Sequence, residues 1–270
     1  MQANETMNEA ILSLLREELV PSTGCTEPTS LAFAAALGTD VLAERPQKML
    51  LEVSESIYKN SKSVFVPNTA GMKGIEPALA AGAIAGDHKQ GLNVLANVSD
   101  DDIEDIKRYV REERITIRLL KTDHLIDYRL TLKGNDSKVV VRVQDAHTNL
   151  VYLEKDGEIL LDEVNDAVHK QDELKLNTDL IWNFVESVDV ADLKAILDEQ
   201  IAKNMAIAKV GIKEPYGSSI GRLVNQGETA IDHAIAYAAA ACDARMSGCN
   251  MPVIINGGSG NQGITSSIPL

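Results

Sequence analysis

Two helical patterns open the chain and meet at a short polar hinge. Apolar residues recur three and four positions apart over residues 7–15, and Pro21 ends that run because proline lacks an amide hydrogen and clashes with the preceding turn. A second, alanine-rich run covers residues 31–42, and Thr26 is its predicted N-cap. The pattern therefore predicts two helices, with Cys25 in the hinge just ahead of the second.

After Pro46 the period of the apolar positions changes from helical spacing to two, which is typical of strands. Turn-forming residues at 133–136 and 155–157 predict hairpins, so the strands from residue 115 onward are predicted to form an antiparallel sheet. Helices are predicted at 76–85 and at 100–113. The predicted strands are 48–53, 61–66, 115–119, 127–132, 138–143 and 150–153.

From residue 179 onward the chain returns to helical spacing. One apolar stripe runs from Val190 to Ala208 and is predicted to be core, and a further helix is predicted over residues 228–246. The fold class predicted is α+β, a mixed or antiparallel sheet with flanking helices followed by a mostly helical region. The predicted segments are 1–44, packing on the C-terminal helices, 45–177, an α+β substrate domain, and 178–270, a helical region that is incomplete at its C-terminus.

Composition narrows the class of protein. A formal net charge of -14 and a pI near 4.8 argue against a nucleic-acid partner, which needs clustered Lys and Arg. The first residues do not form a secretory signal, and no apolar run approaches the roughly 20 residues of a membrane helix. Three cysteines, an odd number, do not make a disulfide framework. We therefore expect a cytoplasmic protein that acts on small molecules, without a membrane or nucleic-acid partner.

Cys25 is the first candidate for chemistry. A thiol at a helix N-terminus faces free amides and the positive end of the helix dipole, so we expect it to ionise more easily than a free cysteine. A thiolate attacks carbon or binds a metal. The alternative is an ordinary loop with a buried thiol, and Cys242 and Cys249, which lack CxxC spacing, are interpreted as small packed residues.

Polar residues that follow the first predicted strand form a second candidate group. Lys59 and Asn60, on or beside a predicted turn, and Asn68 and Thr69 further on offer donors that could converge on a small anionic group. The alternative is that they are turn residues only.

His147 lies where one predicted strand hands over to the next, and it is either a hydrogen-bonded structural residue or a base. The other histidines have no acidic partners at metal-ligand spacing, so no zinc site is predicted. Arg245, near the end of a predicted helix, either interacts with the helix dipole or binds a carboxylate.

A glycine-rich loop, residues 258–263, formally satisfies GxGxxG. A dinucleotide site also needs a following helix and an acidic residue about 20 positions on, and neither is predicted here. The loop can instead present amides and the side chains of Ser259, Asn261 and Gln262 to a carboxylate, with Gly260 between them.

The hinge sequence Ser-Thr-Gly-Cys-Thr-Glu-Pro at 22–28 resembles the N-terminal signature of the L-cysteine desulfidase family, also catalogued as UPF0597. That family is related to iron-sulfur L-serine dehydratases and holds a [4Fe-4S] cluster on three cysteines. Further matching segments occur in family order: 58–60, 66–69, 71–74, 147–149, 243–246 and 258–263.

The resemblance implies β-elimination from L-cysteine to sulfide, pyruvate and ammonia, with an open iron of the cluster as Lewis acid. It implies Cys25 as a cluster ligand, His147 as the best candidate base, and the loops around Asn60, Asn68 and Thr69 as substrate contacts. The remaining ligands belong to a helical region beyond Leu270, so the chain looks cut and we do not expect it to complete a cluster. L-Serine is an alternative substrate.

The rival interpretation is a non-catalytic amino-acid-binding fragment that keeps the substrate loops. The partners expected are a small amino acid and either a second copy of the chain or the missing C-terminal segment.

Overall fold

The computed structural model describes residues 2–164, 175–227 and 229–270. Ten α-helices and eight strands lie in these ranges, together with a short 3-10 helix at His88–Asn93. The helices are α1 (Gln2–Glu18), α2 (Thr26–Leu42), α3 (Glu55–Ser61), α4 (Ile75–Ala85), α5 (Asp100–Arg111), α6 (Thr178–Ser187), α7 (Val190–Lys213), α8 (Ile220–Val224), α9 (Ala230–Met246) and α10 (Gly260–Ser267). The strands are β1 (Pro21–Thr23), β2 (Lys48–Val53), β3 (Ile115–Leu119), β4 (Asp127–Lys133), β5 (Lys138–Gln144), β6 (Leu150–Lys155), β7 (Glu158–Asp162) and β8 (Pro252–Ile254).

Six strands form one mixed sheet in the order β3-β2-β4-β5-β6-β7. The β2–β3 pair is parallel and the other four pairs are antiparallel. Leu51, Leu130, Val141 and Leu153 stand opposite one another across four neighbouring strands, so the period-two pattern places one apolar row on one face of the sheet. The predicted α+β class with a mixed or antiparallel sheet is confirmed, and the expected all-antiparallel pairing is wrong for β3.

The apolar face of the sheet is covered by α2, and α4 packs on α2. The two helices contact each other closely, and α2 also contacts β4 and β5. Small residues make this possible: Ala32, Ala35, Ala78 and Ala81 are fully buried in the same core as the strand residues. This packing fixes α2, and with it the hinge that precedes α2.

Contacts divide the chain into two units. One unit consists of 23–167 and 245–250 and holds the six-stranded sheet with α2 to α5. The other consists of 1–22, 168–244 and 251–270 and is mostly helical. The predicted segment boundaries at residues 44 and 177 stay a prediction; α2, which lies in the first predicted segment, packs on the sheet.

The helical unit has its own small core. Ile11 and Leu12 of α1 pack with Phe184 of α6, and α1 also contacts α7. Asn204 of α7 is fully buried, and its amide donates to the Ile254 carbonyl at 3.3 Å while its carbonyl oxygen accepts from the Ile254 amide at 2.8 Å. These bonds tie β8, which pairs with β1, to the longest helix of the unit.

Two local predictions near the hinge are wrong. Residues 61–66 do not form a strand: Ser61 ends α3, and Phe65 makes only an isolated bridge with Lys73. The N-cap of α2 is Cys25 and not Thr26, and Cys25 makes no side-chain cap bond. Because α3 spans Glu55–Ser61, the segment 58–60 lies on a helix.

Two predictions in the helical unit are also wrong. The stripe on α7 is not all core, because Val190 is 75% exposed and Ile201 is 50% exposed. The glycine-rich loop is followed by a helix, α10, that starts at Gly260 inside the motif. The strand before that loop belongs to a two-stranded sheet and not to a doubly wound one, so the helix alone does not make a dinucleotide fold.

Across the described parts of the chain, none of the helices has the combination of length and apolar character needed to cross a membrane.

Candidate functional site

The candidate site is built around the hinge before α2. Gly24 adopts φ +70, and a Cβ there would overlap the Pro67 ring, so only glycine suits the backbone at this point. The turn holds Cys25 at the start of α2, and Thr29, one helical turn later, donates its hydroxyl to the Cys25 carbonyl at 2.7 Å. This bond holds the backbone of Cys25 at the start of α2.

Glu27 connects the side chains of the hinge. One carboxylate oxygen accepts hydrogen bonds from the Cys25 thiol at 3.1 Å and from the Thr26 hydroxyl at 3.2 Å. The other accepts from the Asn60 amide of α3 at 3.0 Å. Burial alone would raise the pKa of Glu27, but the bonds from Cys25 and Asn60 and the nearby His147 outweigh it and hold that pKa below its ordinary value. Glu27 is therefore an anion at neutral pH.

His147 lies in the turn between β5 and β6 and is held through its backbone. Ser30 of α2 donates its hydroxyl to the His147 carbonyl, and the buried Tyr128 hydroxyl lies 2.7 Å from the same serine oxygen. The imidazole Nε2 is buried and has no hydrogen-bond partner among the described residues. Burial lowers the pKa of His147; Glu27 opposes that effect, and Arg245 adds to it. The ring is therefore neutral at neutral pH, with one nitrogen available to a ligand.

Arg245 supplies the positive charge of the site. It belongs to the last turn of α9 and is only 4% exposed. Its charge acts on both Cys25 and His147. A buried guanidinium near a neutral imidazole and a fixed carboxylate is an arrangement that can bind a small zwitterion.

The expectation that Cys25 ionises easily is wrong for the metal-free protein. Burial, and after it the charge of Glu27 and its acceptance of the thiol hydrogen bond, raise the pKa of the Cys25 thiol to about 12. Arg245 acts in the opposite direction but does not compensate. The sequence showed the helix N-terminus but not the carboxylate that faces the thiol.

This arrangement makes a prediction for thiol labelling of the metal-free chain. Glu27→Gln removes the negative charge beside Cys25, lowers the thiol pKa, and should raise the alkylation rate of Cys25 by at least about threefold at pH 8. Peptide mass mapping after timed reaction with iodoacetamide measures the rate. Glu76→Gln, which removes a carboxylate from the first turn of α4, is the matched control. An unchanged or slower rate in Glu27→Gln would contradict the role given to the carboxylate.

The remaining predicted site residues fall into two groups. Lys59 is exposed on α3, the Asn68 amide donates to the Leu95 carbonyl at 2.9 Å, and the Thr69 hydroxyl donates to the Val66 carbonyl at 2.8 Å. Asn68 and Thr69 thus have structural partners, and their contacts with substrate stay predictions. Ser259, Gly260 and Asn261 lie in the helical unit, where Ser259 caps α10 by accepting from the Gln262 amide at 3.3 Å.

Glu27 is the candidate site residue that the sequence pattern did not single out. Acidic residues are common in the first turn of a helix, so its position alone does not distinguish it. Its partner Asn60 is 33 positions away, and nothing local in the sequence joins the two. The available signal was its place two residues after Cys25 inside the resembling motif.

The residues described do not fit a complete iron-sulfur cluster. Cys25 is the cysteine of the hinge, and within 2–164, 175–227 and 229–270 no three His, Cys, Asp or Glu side chains are placed to hold a metal ion. Cys249 is buried, Cys242 lies in the helical unit, and His169 lies outside the described residues. A cubane needs about three thiolates, so Cys25 could be one ligand but not the set.

Comparison with known proteins finds one family model and several relatives that are similar to this chain. The serine dehydratase alpha chain family matches residues 89–270. A UPF0597 protein of Desulfitobacterium hafniense (strain Y51) is 43% identical over 275 residues, covering 100% of this chain and 64% of the relative. UPF0597 proteins of Lachnoclostridium phytofermentans and Fusobacterium nucleatum are 38% and 35% identical, each covering 98% of this chain and 64% and 65% of the relative. No solved structure matches the chain significantly. The chain spans about 64% of the length of these relatives.

Proposed function

The chain belongs to the serine dehydratase alpha chain family, and from that membership we propose that the whole protein is a deaminating lyase acting on a small L-amino acid. L-Cysteine is the substrate we propose first, and L-serine is the alternative because the same elimination differs only in the leaving atom. The observation that carries the proposal is the neutral His147, whose buried Nε2 has no partner among the described residues, beside the charge of Arg245.

In the proposed reaction His147 Nε2 takes the proton from the substrate α-carbon. The electron pair of that C–H bond forms the double bond between Cα and Cβ, and the Cβ–S bond breaks so that sulfur leaves as hydrosulfide. The 2-aminoacrylate tautomerises to an imine, which water hydrolyses to pyruvate and ammonia. A buried imidazole with a lowered pKa is unprotonated at neutral pH and can act as this base.

The charges of the site suit the two ends of an amino acid. Arg245 would bind the substrate carboxylate through its planar guanidinium. Glu27 is an anion whose charge acts on the pKa of His147 in the opposite direction to that of Arg245, and it would attract the ammonium group of the substrate. Asn60 and Cys25 already bond to Glu27 and would hold its carboxylate in one orientation. Free thiols at Cys25 and Cys249 suit a reducing compartment, and we propose the cytoplasm.

The test uses the protein extended to the full length of its relatives. His147→Gln should lower release of sulfide or pyruvate by about 10²- to 10⁴-fold, because it removes the proton acceptor. The acid limb of the pH profile in the unaltered protein should lie below the ordinary histidine pKa of about 6.5: burial depresses the His147 pKa, so the neutral base persists until the pH falls through that lower value.

His124→Gln is the matched control, because His124 is an exposed histidine of the same unit that bonds to Asp145 at 2.7 Å. It should leave turnover close to that of the unaltered protein. Full turnover in His147→Gln, with the fold intact by circular dichroism, would refute the base assignment.

The second candidate function is amino-acid binding without turnover, which the opposite charges of Arg245 and Glu27 in the site favour. Calorimetry with L-cysteine and L-serine separates the two functions. Binding that Arg245→Met abolishes, in a chain that releases no pyruvate, would support the binding function for this chain alone.

A further inference from the structure

The helical unit exposes large apolar side chains on several of its helices. Trp182 on α6 is 63% exposed and Ile231 on α9 is 71% exposed. Single exposed apolar residues are normal on protein surfaces, but a series of them on neighbouring segments marks a surface that another element covers. Other exposed apolar residues on α6 to α9 of this unit include Ile181, Val185, Val190, Ile201, Leu223 and Ile235.

One part of this surface is a groove with a defined shape, which we call the α9 groove. It has a volume of about 540 Å³, and its lining includes Ile231, Ile235, Ala238 and Cys242 of α9 together with Pro269 after α10. Apart from one thiol and one threonine hydroxyl, its lining side chains are aliphatic. Its lining therefore offers no charged side chain to a charged small molecule and suits an apolar occupant.

The spacing of the lining residues identifies the shape of that occupant. Positions 231, 234, 235, 238 and 242 recur every three or four residues and form one stripe along about three turns of α9. Alanines in the middle of the stripe, at 234, 238 and 239, leave room for a second helix to approach closely. An amphipathic helix that places its apolar side in such a groove is a recurring mode of recognition.

We propose that the α9 groove seats an apolar helix from the roughly one third of the relatives' length that this chain does not include. That length is enough for several helices, and the relatives align with this chain over all of its residues. A second copy of the chain fits less well, because a two-fold contact brings the same concave groove against itself and leaves the space unfilled. This inference goes beyond the proposed lyase function and does not rest on it.

Cys242 in the floor of the groove serves as the reporter. The 270-residue chain is compared with the same chain extended by the corresponding segment of the Desulfitobacterium hafniense relative, which is 43% identical over the shared part. Docking of the segment should slow maleimide labelling of Cys242 by at least about tenfold, because labelling then requires local opening. Peptide mass mapping separates Cys242 from the other two thiols.

Ile235→Asp places a charge in the groove and should restore rapid labelling of Cys242 in the extended protein. Ile159→Asp, at a 57% exposed position of β7 in the other unit, is the matched control and should leave Cys242 protected. Circular dichroism of both variants without the extension shows whether the unit remains folded.

Equal labelling of Cys242 with and without the extension would overturn the proposal. Equal labelling of Ile235→Asp and Ile159→Asp in the extended protein would also overturn it. So would protection of Cys242 in the unextended chain that grows with protein concentration and accompanies a dimer in sedimentation, because a second copy would then be the occupant.

Discussion

The 270-residue chain, incubated anaerobically with iron and sulfide, is expected neither to retain a [4Fe-4S] cluster nor to release sulfide from L-cysteine. The physical reason is the number of ligands, since a cubane needs about three protein thiolates and the candidate site offers the thiol of Cys25. Burial and Glu27 also hold that thiol in its protonated form in the metal-free protein, with a pKa raised to about 12. Absorbance of the gel-filtered protein and a sulfide assay measure the two outcomes.

Extension to the full length of the relatives should restore both the brown absorbance and sulfide release, because the resemblance places the remaining cysteine ligands in that part. Cys25→Ser in the extended protein should then abolish both, whereas Cys249→Ser, which alters a buried thiol interpreted as packing, should preserve them. Stable absorbance and sulfide release from the 270-residue chain alone would contradict the count and would make Cys242 and Cys249 candidate ligands.

Most of the sheet could be predicted from the sequence because its signal is local. Alternation of apolar and polar residues identified β2, β4, β5 and β6, and turn residues identified the β4–β5 hairpin and the turn that follows β6. The pairing of β3 could not be predicted, because β3 joins β2 in parallel across the 61 residues between Val53 and Ile115, and no local pattern specifies that partner.

Helix α3 shows how a local signal can be misjudged. Ser54 caps it by accepting from the Ile57 amide, and Glu55 follows in the first turn, which is a helix-start pattern that outweighs the β-type residues after it. The stripe on α7 shows a different limit. Periodicity reveals that a helix has an apolar side, but it does not reveal whether the described chain covers that side.

The site could be predicted only in part. His147, Arg245, Asn60 and Cys25 were named from residue type and motif, and the structure brings them together with Glu27 in one unit. The protonation state of Cys25 could not be predicted. The same sequence is compatible with a thiol that faces only the helix N-terminus and with one that faces a carboxylate, and only the fold shows that Glu27 points at the thiol. Burial of the thiol depends on the sheet unit as a whole.

Gly82→Ala is expected to destabilise the protein, although glycine-to-alanine changes inside helices usually stabilise. Gly82 lies in α4 where that helix crosses α2, and a Cβ there would overlap the carbonyl oxygen of Ala32 and lie 2.7 Å from the Ala32 Cα. Both groups belong to the backbone of a buried helix, so neither can rotate away. The two helices must move apart, and the core between them and the sheet loosens with them.

We expect a loss of about 3 kcal/mol in the free energy of unfolding, at the upper end of what overpacking costs, and a fall of roughly 6–12 °C in the melting midpoint. Chemical denaturation followed by circular dichroism measures the loss. Gly134→Ala is the matched control, because the nearest atoms that a Cβ there would meet belong to the Glu44 side chain. That side chain can turn toward solvent by giving up its hydrogen bonds to Asn135, so the cost should stay near about 1 kcal/mol. Equal stability of the two variants would mean that α2 and α4 do not pack as closely as described, and the position of the Cys25 hinge at the start of α2 would then lose its support.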